Sequence, residues 1–353
     1  MIRRTARAAF TMIEMLLAVA ISVIVVAGLY SLFTMQSRQF MAQDQAMNMH
    51  QNLRFASDIL SRSARMAGYG TGGEVYGQLG WDGTAQDDTV GLPPMITWDA
   101  WDGTTDAVTF IYADPTLEVM TDPLVIEASS TTSISFPHKR QGYNTRLSSL
   151  EVGDLLLCWD YAKLPGTVAY LWEVSADGHS GGSVTVVDNS TLLDFTSVVN
   201  DNLPPVMHCS RAQIVTFYID NNSADGVGPG SSAHPVLMMD LDFDFVDGVP
   251  DGDDIPLVDD IEDLQLAYCP ADGDCQDGSG DWQNSLTREE SMVAWMMRFS
   301  LVARSPRSDK TRSSVSRPVS LENNSGAGSV DGYSRQALTS KVQFRNLRLL
   351  YDF

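Results

Sequence analysis

Residues 10–33 read FTMIEMLLAVAISVIVVAGLYSLF, and this stretch decides which folds the chain can adopt. Its only charged residue is Glu14. As an α-helix, these 24 residues would span about 36 Å at roughly 1.5 Å per residue, which is enough to cross a bilayer. The stretch follows Arg3, Arg4 and Arg7, and a basic flank predicts that this end of the chain stays in the cytoplasm. The sequence therefore predicts one membrane-spanning helix, with everything after it outside the cytoplasm.

Two simpler explanations of this stretch leave part of it unexplained. A secretory signal peptide has an apolar region of about 7–15 residues, followed by a cleavage site between small residues. Here the apolar region is longer, and the candidate site at Ala8 and Ala9 lies before it. An ordinary signal anchor does not account for Glu14, because a carboxylate near the start of a membrane helix is costly and usually has a partner. A signal-anchored periplasmic enzyme or receptor is kept as a remote alternative.

Apolar residues continue at helical spacing beyond the membrane stretch. They recur at intervals of three and four, which forms one stripe of an α-helix, at Ala42, Ala46, Met49, Leu53, Ala56, Leu60, Ala64 and Ala67. Because no proline interrupts residues 10–67, we predict one long helix. Residues 10–33 would lie in the membrane, and residues 34–67 would form an amphipathic continuation that docks on a globular head. Gly68 and Gly70 are expected to end the helix.

The start of this helix resembles a known processing signal. Residues 9–15 read AFTMIEM, which resembles the class III leader of type IV prepilins and pseudopilins. In that family, prepilin peptidase cuts a short basic leader just before the phenylalanine, the new N-terminus is methylated, and an acid five residues into the mature chain is kept. The resemblance implies that residues 1–9 are a leader cut between Ala9 and Phe10, and that Phe10 is then N-methylated. The family usually has glycine where this chain has Ala9.

The same resemblance gives Glu14 a role in assembly. In lipid or in a filament, its carboxylate would be buried unless it meets a cation. The N-terminal ammonium of a neighbouring subunit's Phe10 is such a cation. We therefore expect Glu14 to provide the assembly charge, through a pair between subunits.

Both ends of the chain also resemble the minor pilins of the PilW type. That family has an arginine-bearing segment that ends in Ala-Gly-Tyr. Residues 52–70 are such a segment here, with Ala-Gly-Tyr at positions 67–69. Three further segments resemble an acidic strand, an arginine-flanked strand and a terminal Arg-Asn strand of the family, at residues 261–268, 297–305 and 341–347.

What this second resemblance implies is a structural subunit rather than an enzyme. It would be a minor pilin that primes type IV pilus assembly and sits near the pilus tip, serving cell adhesion and twitching motility. Its partners would be other minor pilins, the major pilin, prepilin peptidase, the inner-membrane assembly platform and a tip adhesin. It would be held in the bacterial inner membrane with the head in the periplasm, and then moved to the pilus surface. The alternative is a J-type minor pseudopilin of a type II secretion system.

Residues 68–353 are predicted to form a β-rich head. Short β-branched or alternating segments recur between turn signals, at residues 107–112, 124–127, 133–136, 155–159, 168–174, 184–187, 214–219, 236–241, 261–268, 292–303 and 342–351. No helical pattern separates successive segments, which favours antiparallel pairing. The predicted fold class is α+β, with a pilin-like long N-terminal helix packed on a large antiparallel head. Residues 71–240 would be a subdomain or an insertion.

Four cysteines are the candidates for disulfide bonds in this head. Cys269 and Cys275 enclose five residues, which suits a local staple, and Cys158 with Cys209 would then tie two strands. Four cysteines permit three pairings, which the sequence leaves open. The cysteines lack paired C-x₂-C spacing, which argues against zinc.

Acidic runs are the other candidates for chemistry. Asp272, Asp274 and Asp277 alternate with glycines beside the Cys269–Cys275 loop, and calcium binds several oxygens from such flexible turns. The spacing departs from that of an EF-hand. A calcium site and a solvated acidic loop are therefore both open, and no other cofactor is indicated. The sequence also contains no G-x-S-x-G, H-E-x-x-H or phosphate-loop motif.

The net charge excludes one class of partner and belongs to one part of the chain. The formal charge is −22, from 23 Lys+Arg against 45 Asp+Glu, which argues against a nucleic-acid binder. The three arginines of residues 1–9 are opposed by no acid, so removing this leader leaves −25 on the side chains. Nearly all of that acidity belongs to the head.

Overall fold

The computed structural model divides the chain into two units, residues 1–48 and residues 49–353. The residues that it describes are 11–71, 75–76, 93–114, 119–120, 131–135, 150–159, 169–174, 183–187, 208–221, 230–232, 234–241, 254–275, 280–308, 321–322 and 331–347. The predicted strand at 124–127 lies outside these residues.

One long helix begins the described chain, as the sequence predicts. Helix α1 comprises Met12–Met66 and is 55 residues long. Its first part, up to residue 48, belongs to the first unit, and its side chains are largely exposed. Its last part belongs to the second unit and buries the predicted stripe from Met49 onward, together with Ser63. The amphipathic part is therefore held by core packing of its apolar face.

The first sheet contains eleven strands among the described residues. They are β1 (Val75–Tyr76), β2 (Met95–Trp98), β3 (Ala107–Ala113), β4 (Val119–Met120), β5 (Thr131–Ser135), β6 (Leu155–Trp159), β7 (Ala169–Val174), β8 (Ser183–Val187), β9 (His208–Asp220), β10 (Val236–Asp240) and β11 (Ile255–Asp259). The order β11-β10-β9-β6-β7-β8-β5 forms its main path, with β3 and β4 also paired to β9 and β2 paired to β3. Every pair is antiparallel except β1 with β7, which is parallel.

The second sheet has three antiparallel strands, β12 (Ile261–Cys269), β13 (Met296–Arg304) and β14 (Arg335–Gln343). A short helix, α2 (Arg288–Val293), precedes β13. Strands β13 and β14 pair over nine consecutive positions, from Met296 opposite Gln343 to Arg304 opposite Arg335. The acidic, arginine-flanked and Arg-Asn segments of the sequence therefore meet in and around one small sheet.

Two predicted strands in this part of the chain have wrong bounds. The segment 292–303 contains the end of α2 and enters a strand only at Met296, because Thr287 and Glu290 form a capping box that starts a helical turn before it. The last strand lies at Arg335–Gln343 instead of 342–351, because its alternating side chains pair with β13 before the Arg-Asn segment. Residues 348–351 lie outside the described chain.

Two disulfide bonds lie in the second unit. Cys158 bonds to Cys209, and these residues face each other on the neighbouring strands β6 and β9. Cys269 bonds to Cys275 and closes the loop after β12, next to Met296, Trp282 and Trp295. The structure thus contains one of the three pairings that the sequence permits.

A buried carboxyl joins the two sheets. Asp106, just before β3, accepts hydrogen bonds from the backbone N–H groups of Ala100 at 2.9 Å and Leu266 at 2.7 Å. Its own N–H donates to the carbonyl of Leu264 at 2.9 Å. Burial raises the pKa of this carboxyl to about 7, against the opposing effect of the two N–H donors. Through its carboxylate and its backbone N–H, Asp106 therefore links the start of β3 to the middle of β12.

The C-terminal end of α1 is fixed to the head by backbone and side-chain contacts. The side-chain amide nitrogen of Asn346 lies 3.3 Å from each of the carbonyls of Arg65, Met66 and Ala67, at the end of the helix. The N–H of Gly68 donates to the carbonyl of Ile111 on β3 at 3.0 Å. The Arg-Asn segment of the sequence thus caps the helix whose Ala-Gly-Tyr end the sequence also singles out.

Replacing Gly70 with alanine should destabilise this junction. Gly70 has a φ of +78°, and an added Cβ would lie 2.7 Å from the Cβ of Ala113 and 3.1 Å from the Trp159 ring. Left-handed strain of about 1–2 kcal/mol and crowding of about 1–3 kcal/mol should together lower the free energy of unfolding by about 2–5 kcal/mol. Denaturant unfolding of the full chain in detergent micelles, followed by circular dichroism, measures this loss.

Gly103→Ala is the matched control for that variant. Gly103 has a φ of +89°, and nothing lies within 4 Å of an added Cβ. It should therefore lose only the strain part, about 1–2 kcal/mol. Equal losses in the two variants would show that the close approach of Gly70 to Ala113 and Trp159 contributes nothing.

Candidate functional site

The candidate site is the N-terminal end of α1, where Thr11 precedes the first helical residue, Met12. The Thr11 backbone N–H and the Thr11 hydroxyl both donate to Oε2 of Glu14, each at 2.9 Å. The Glu14 N–H lies 3.4 Å from the Thr11 hydroxyl oxygen and donates to it. This is a reciprocal capping box, in which the threonine and the glutamate three residues later satisfy each other's helix-end groups.

The capping box gives Glu14 a local partner that the sequence analysis missed. The signal is present as Thr11-Met12-Ile13-Glu14, which fits the pattern Ser/Thr-x-x-Glu at the start of an apolar run. A carboxylate in the first turn also interacts favourably with the helix dipole. Glu14 therefore has two roles to separate: capping its own helix, and pairing with a cation on another chain.

The other predicted residues of this site lie outside the described residues. Ala9 and Phe10, where cleavage and methylation are predicted, immediately precede Thr11. Glu14 itself is described, and its side chain is exposed at the end of the helix. Cleavage at Ala9 and methylation of Phe10 remain predictions.

The helix that follows exposes a continuous apolar surface. Its large apolar side chains between Met12 and Phe33 are all more than half exposed, with Met12 at 82%. Such contiguous apolar exposure marks a surface that another apolar phase or partner covers. By length and composition, α1 is able to cross a membrane, and it is the one such helix among the described residues.

The predicted calcium residues are only partly described. Asp272 and Asp274 are exposed beside the Cys269–Cys275 loop, and the Asp274 N–H donates to the Asp281 carboxylate at 3.1 Å. Asp277 lies outside the described residues. Within the described part of the chain, no three His, Cys, Asp or Glu side chains come together as a metal site. A calcium site here remains a prediction.

Arginines of β13 and β14 form buried ion pairs with glutamates. Arg335 donates to the two carboxylate oxygens of Glu262 at 2.5 and 2.9 Å, and Arg304 lies 3.8 Å from the same carboxylate. Arg298 donates to Glu322 from two nitrogens, at 2.6 Å from Nε and 2.5 Å from Nη2. These residues stabilise the head, and the sequence did not reveal their pairing.

Comparison with known proteins bears on the N-terminal site. Residues 4–30 match the family described as "Prokaryotic N-terminal methylation motif". No curated protein matches the chain. Among solved structures, the chain is similar to "Type IV-like pilin TTHA1219 from Thermus thermophilus", with 12% identity, a TM-score of 0.32, and coverage of 84% of this chain and 97% of that one.

The match and the geometry define a class of protein. The methylation motif spans the predicted cleavage position and most of the exposed apolar part of α1. The chain is thus a protein with a prepilin-type N-terminal methylation motif. The predicted fold class is confirmed, since the long apolar helix is followed by antiparallel sheets.

Proposed function

We propose that this protein is a minor pilin of the PilW type that primes type IV pilus assembly and sits near the pilus tip. The observation that carries the proposal is the methylation motif at residues 4–30, placed on a helix whose large apolar side chains between Met12 and Phe33 are more than half exposed. Such a helix is stored in the inner membrane and then packs among other helices in a filament. The head lies outside the membrane and contacts other minor pilins, the major pilin and a tip adhesin.

Maturation begins with two covalent steps at Phe10. Prepilin peptidase adds water across the Ala9–Phe10 amide, which leaves a carboxylate on Ala9 and a free ammonium on Phe10. A sulfonium methyl donor then transfers a methyl group to the Phe10 nitrogen, which loses a proton. The methylated nitrogen still carries a positive charge, so it remains a partner for the Glu14 carboxylate of a neighbouring subunit.

The proposal assigns the protein a structural role in the bacterial envelope. The segments that resemble PilW-type minor pilins support it, because they build the junction between α1 and the small sheet. Prepilin peptidase and the inner-membrane assembly platform are the proposed membrane partners. A J-type pseudopilin would share the same N-terminus, so the two are separated by where the mature chain is found.

Mass spectrometry of the mature protein from its host tests the proposal. We expect an N-terminal peptide that begins at Phe10 and is one CH₂ heavier than the unmodified sequence, recovered from filaments sheared off the cells. The same modified peptide found only in the membrane of a secretion-competent cell would favour the pseudopilin. An intact Met1, or cleavage beyond residue 33, would contradict both assignments.

A further inference from the structure

The arginine-bearing end of α1 presents a basic face that the fold leaves exposed. Arg54, Arg62 and Arg65 are exposed, on the side of the helix opposite the buried residues Leu53 and Leu60. At 100° per residue, the three arginines and the exposed Phe55 and Asp58 share one side of the helix. We call Arg54, Phe55, Asp58, Arg62 and Arg65 the basic face. Its three arginines against one aspartate give it a net charge of +2.

Packing within the subunit does not use this face. The Phe55 side chain is 53% exposed, although the neighbouring apolar residues of the helix are fully buried. The contact that the basic face makes within itself is an ion pair between Arg62 and Asp58 at 2.8 Å, with both side chains more than 60% exposed. An exposed pair of this kind contributes little to stability. The guanidinium groups of this face are therefore available to a partner outside the subunit.

The head carries the opposite charge. Residues 1–67 hold seven of the 23 basic residues and three of the 45 acidic ones, so the head keeps 16 basic and 42 acidic residues. Its net charge is thus −26. Two copies that meet head to head repel each other, whereas the basic face of one copy attracts the head of another.

Three arginines of the described head are held in ion pairs with buried carboxylates, so they are not on its surface as free cations. Arg304 and Arg335 are 6% and 2% exposed and hold Glu262 between them. Arg298 is mostly buried against Glu322 and the Trp282 ring. By contrast, many carboxylates of the described head are exposed: Asp99, Asp102, Glu151, Asp259, Asp272, Asp274, Asp281, Glu289 and Asp331.

We propose that the basic face binds the acidic head of a second copy of this chain. The contact joins two different surfaces, so each copy still offers a free face and a free head, and the arrangement is head to tail. The guanidinium groups pair with exposed carboxylates, and Phe55 supplies apolar area at the centre of the patch. The proposal goes beyond the proposed function by naming a contact surface, and it does not depend on cleavage or methylation.

Photo-cross-linking of the full chain in neutral detergent micelles tests this contact. Phe55 is replaced by p-benzoylphenylalanine, and heavy-isotope and light copies are mixed so that heavy–light peptide pairs report contacts between copies. We expect heavy–light adducts between position 55 and peptides of residues 68–353. Their yield should fall by about tenfold or more when salt rises from about 0.01 M to about 1 M, because the Debye length shortens from roughly 30 Å to 3 Å.

Charge variants and a second cross-linking position complete the design. The triple variant Arg54→Glu, Arg62→Glu and Arg65→Glu should lose the adducts at low salt, and the corresponding triple lysine variant should keep them. Phe40, an exposed aromatic of the same helix outside the basic face, is the control position, and its adducts should not respond to salt. An unchanged melting temperature confirms that the exposed substitutions leave the head folded.

The proposal is overturned by the absence of heavy–light adducts from position 55 at low salt. It is also overturned by adducts that map to residues 12–48 instead of the head, or by a yield that salt or charge reversal leaves unchanged. Loss of adducts in the lysine variant would also overturn it, because the contact would then not depend on charge. A failure of the proposed function shows separately, as an unprocessed N-terminus in the host.

Discussion

Glu14→Gln should leave the protein in the inner membrane and reduce its recovery in sheared filaments by about tenfold or more. Insertion depends on the apolar run, and replacing a carboxylate by a neutral amide makes the helix easier to place in lipid. Under the proposed function, assembly would lose the pair between Glu14 and the ammonium of a neighbouring subunit's Phe10. In a low-dielectric filament such a pair is worth more than about 1.4 kcal/mol, the energy that corresponds to a factor of ten.

Glutamine is chosen because it keeps the local role of Glu14. Its amide oxygen accepts from the Thr11 N–H and hydroxyl as the carboxylate does, and glutamine is found at this position of capping boxes. Glu14→Ala removes both the cap and the charge. If the charge pair matters, the two variants should be lost from filaments to the same extent.

Thr11→Val is the complementary control. It removes the hydroxyl that contacts Glu14 and keeps the carboxylate, at a cost to the helix end of about 1 kcal/mol. We expect this variant to be recovered in filaments. Immunoblots of membrane and sheared fractions measure both amounts. Full recovery of Glu14→Gln together with loss of Thr11→Val would mean that Glu14 acts only as a cap.

The helix was predictable from sequence because its signals are local and periodic. An apolar run of membrane length and a stripe at intervals of three and four are repeated over many residues, so single exceptions do not hide them. The end of the helix was also predictable, since Gly68 adopts the positive φ that such a position needs. The capping box at Thr11 and Glu14 is equally local, so it could also have been predicted from the Ser/Thr-x-x-Glu pattern in the sequence.

The strands were less predictable because neighbours far along the chain decide where they start and stop. Strand β14 begins at Arg335 because that residue lies opposite Arg304, which is 31 positions earlier in the sequence. Short strands such as β1, with only two residues, carry no period that could be recognised. The capping box starts α2, and the helix extends into apolar residues whose sequence alone favours a strand.

Long-range pairing also limited what could be said of the head's charged residues. Glu262 and Arg335 lie 73 positions apart, and their side chains meet because β12 and β14 flank the same strand. Among many acids, nothing in the sequence distinguishes Glu262 as the partner of a buried arginine. The sequence could not distinguish the three disulfide pairings for the same reason, because the pairing depends on which strands lie side by side in the sheet.

Glu262→Gln should lower the free energy of unfolding of the head by about 3–5 kcal/mol, the usual cost of breaking a buried ion pair. Glu262 is 11% exposed and receives two hydrogen bonds from Arg335. Arg304 and Arg335 lie directly opposite each other on β13 and β14, so the carboxylate offsets the repulsion between two buried cations. Glutamine keeps the shape of the side chain and removes that charge.

The second carboxylate near Arg335 does not compensate for this loss. Arg335 donates to both oxygens of Asp331, and this hydrogen bonding lowers the pKa of Asp331 to about 2. Asp331 therefore stays ionised throughout the pH range of the measurement, but it is already paired in the unchanged protein. It also lies on the Arg335 side, whereas Arg304 keeps the Ser232 carbonyl at 2.8 Å, the Tyr333 ring and a weaker charge interaction with Asp260.

Asp58→Asn is the matched control, since it makes the same chemical change in an exposed pair. Asp58 and Arg62 are 2.8 Å apart, but their side chains are 62% and 77% exposed. Water and screening reduce such a pair to about 0–1 kcal/mol. Denaturant unfolding of the full chain in detergent micelles compares the two variants, and the Glu262 variant should also melt roughly 6–15 °C lower.

A double-mutant cycle with Arg335→Met separates the ion pair from the packing of each side chain. If Glu262 and Arg335 stabilise the sheet through their charges, the double variant should lose less than the sum of the two single losses, because no buried charge of this pair is left uncompensated. Strictly additive losses, or a Glu262→Gln loss as small as that of Asp58→Asn, would contradict this view. Arg304 and Arg335 would then be tolerated by the core without the Glu262 carboxylate between them, although solvent alone can hardly satisfy guanidinium groups that are only 6% and 2% exposed.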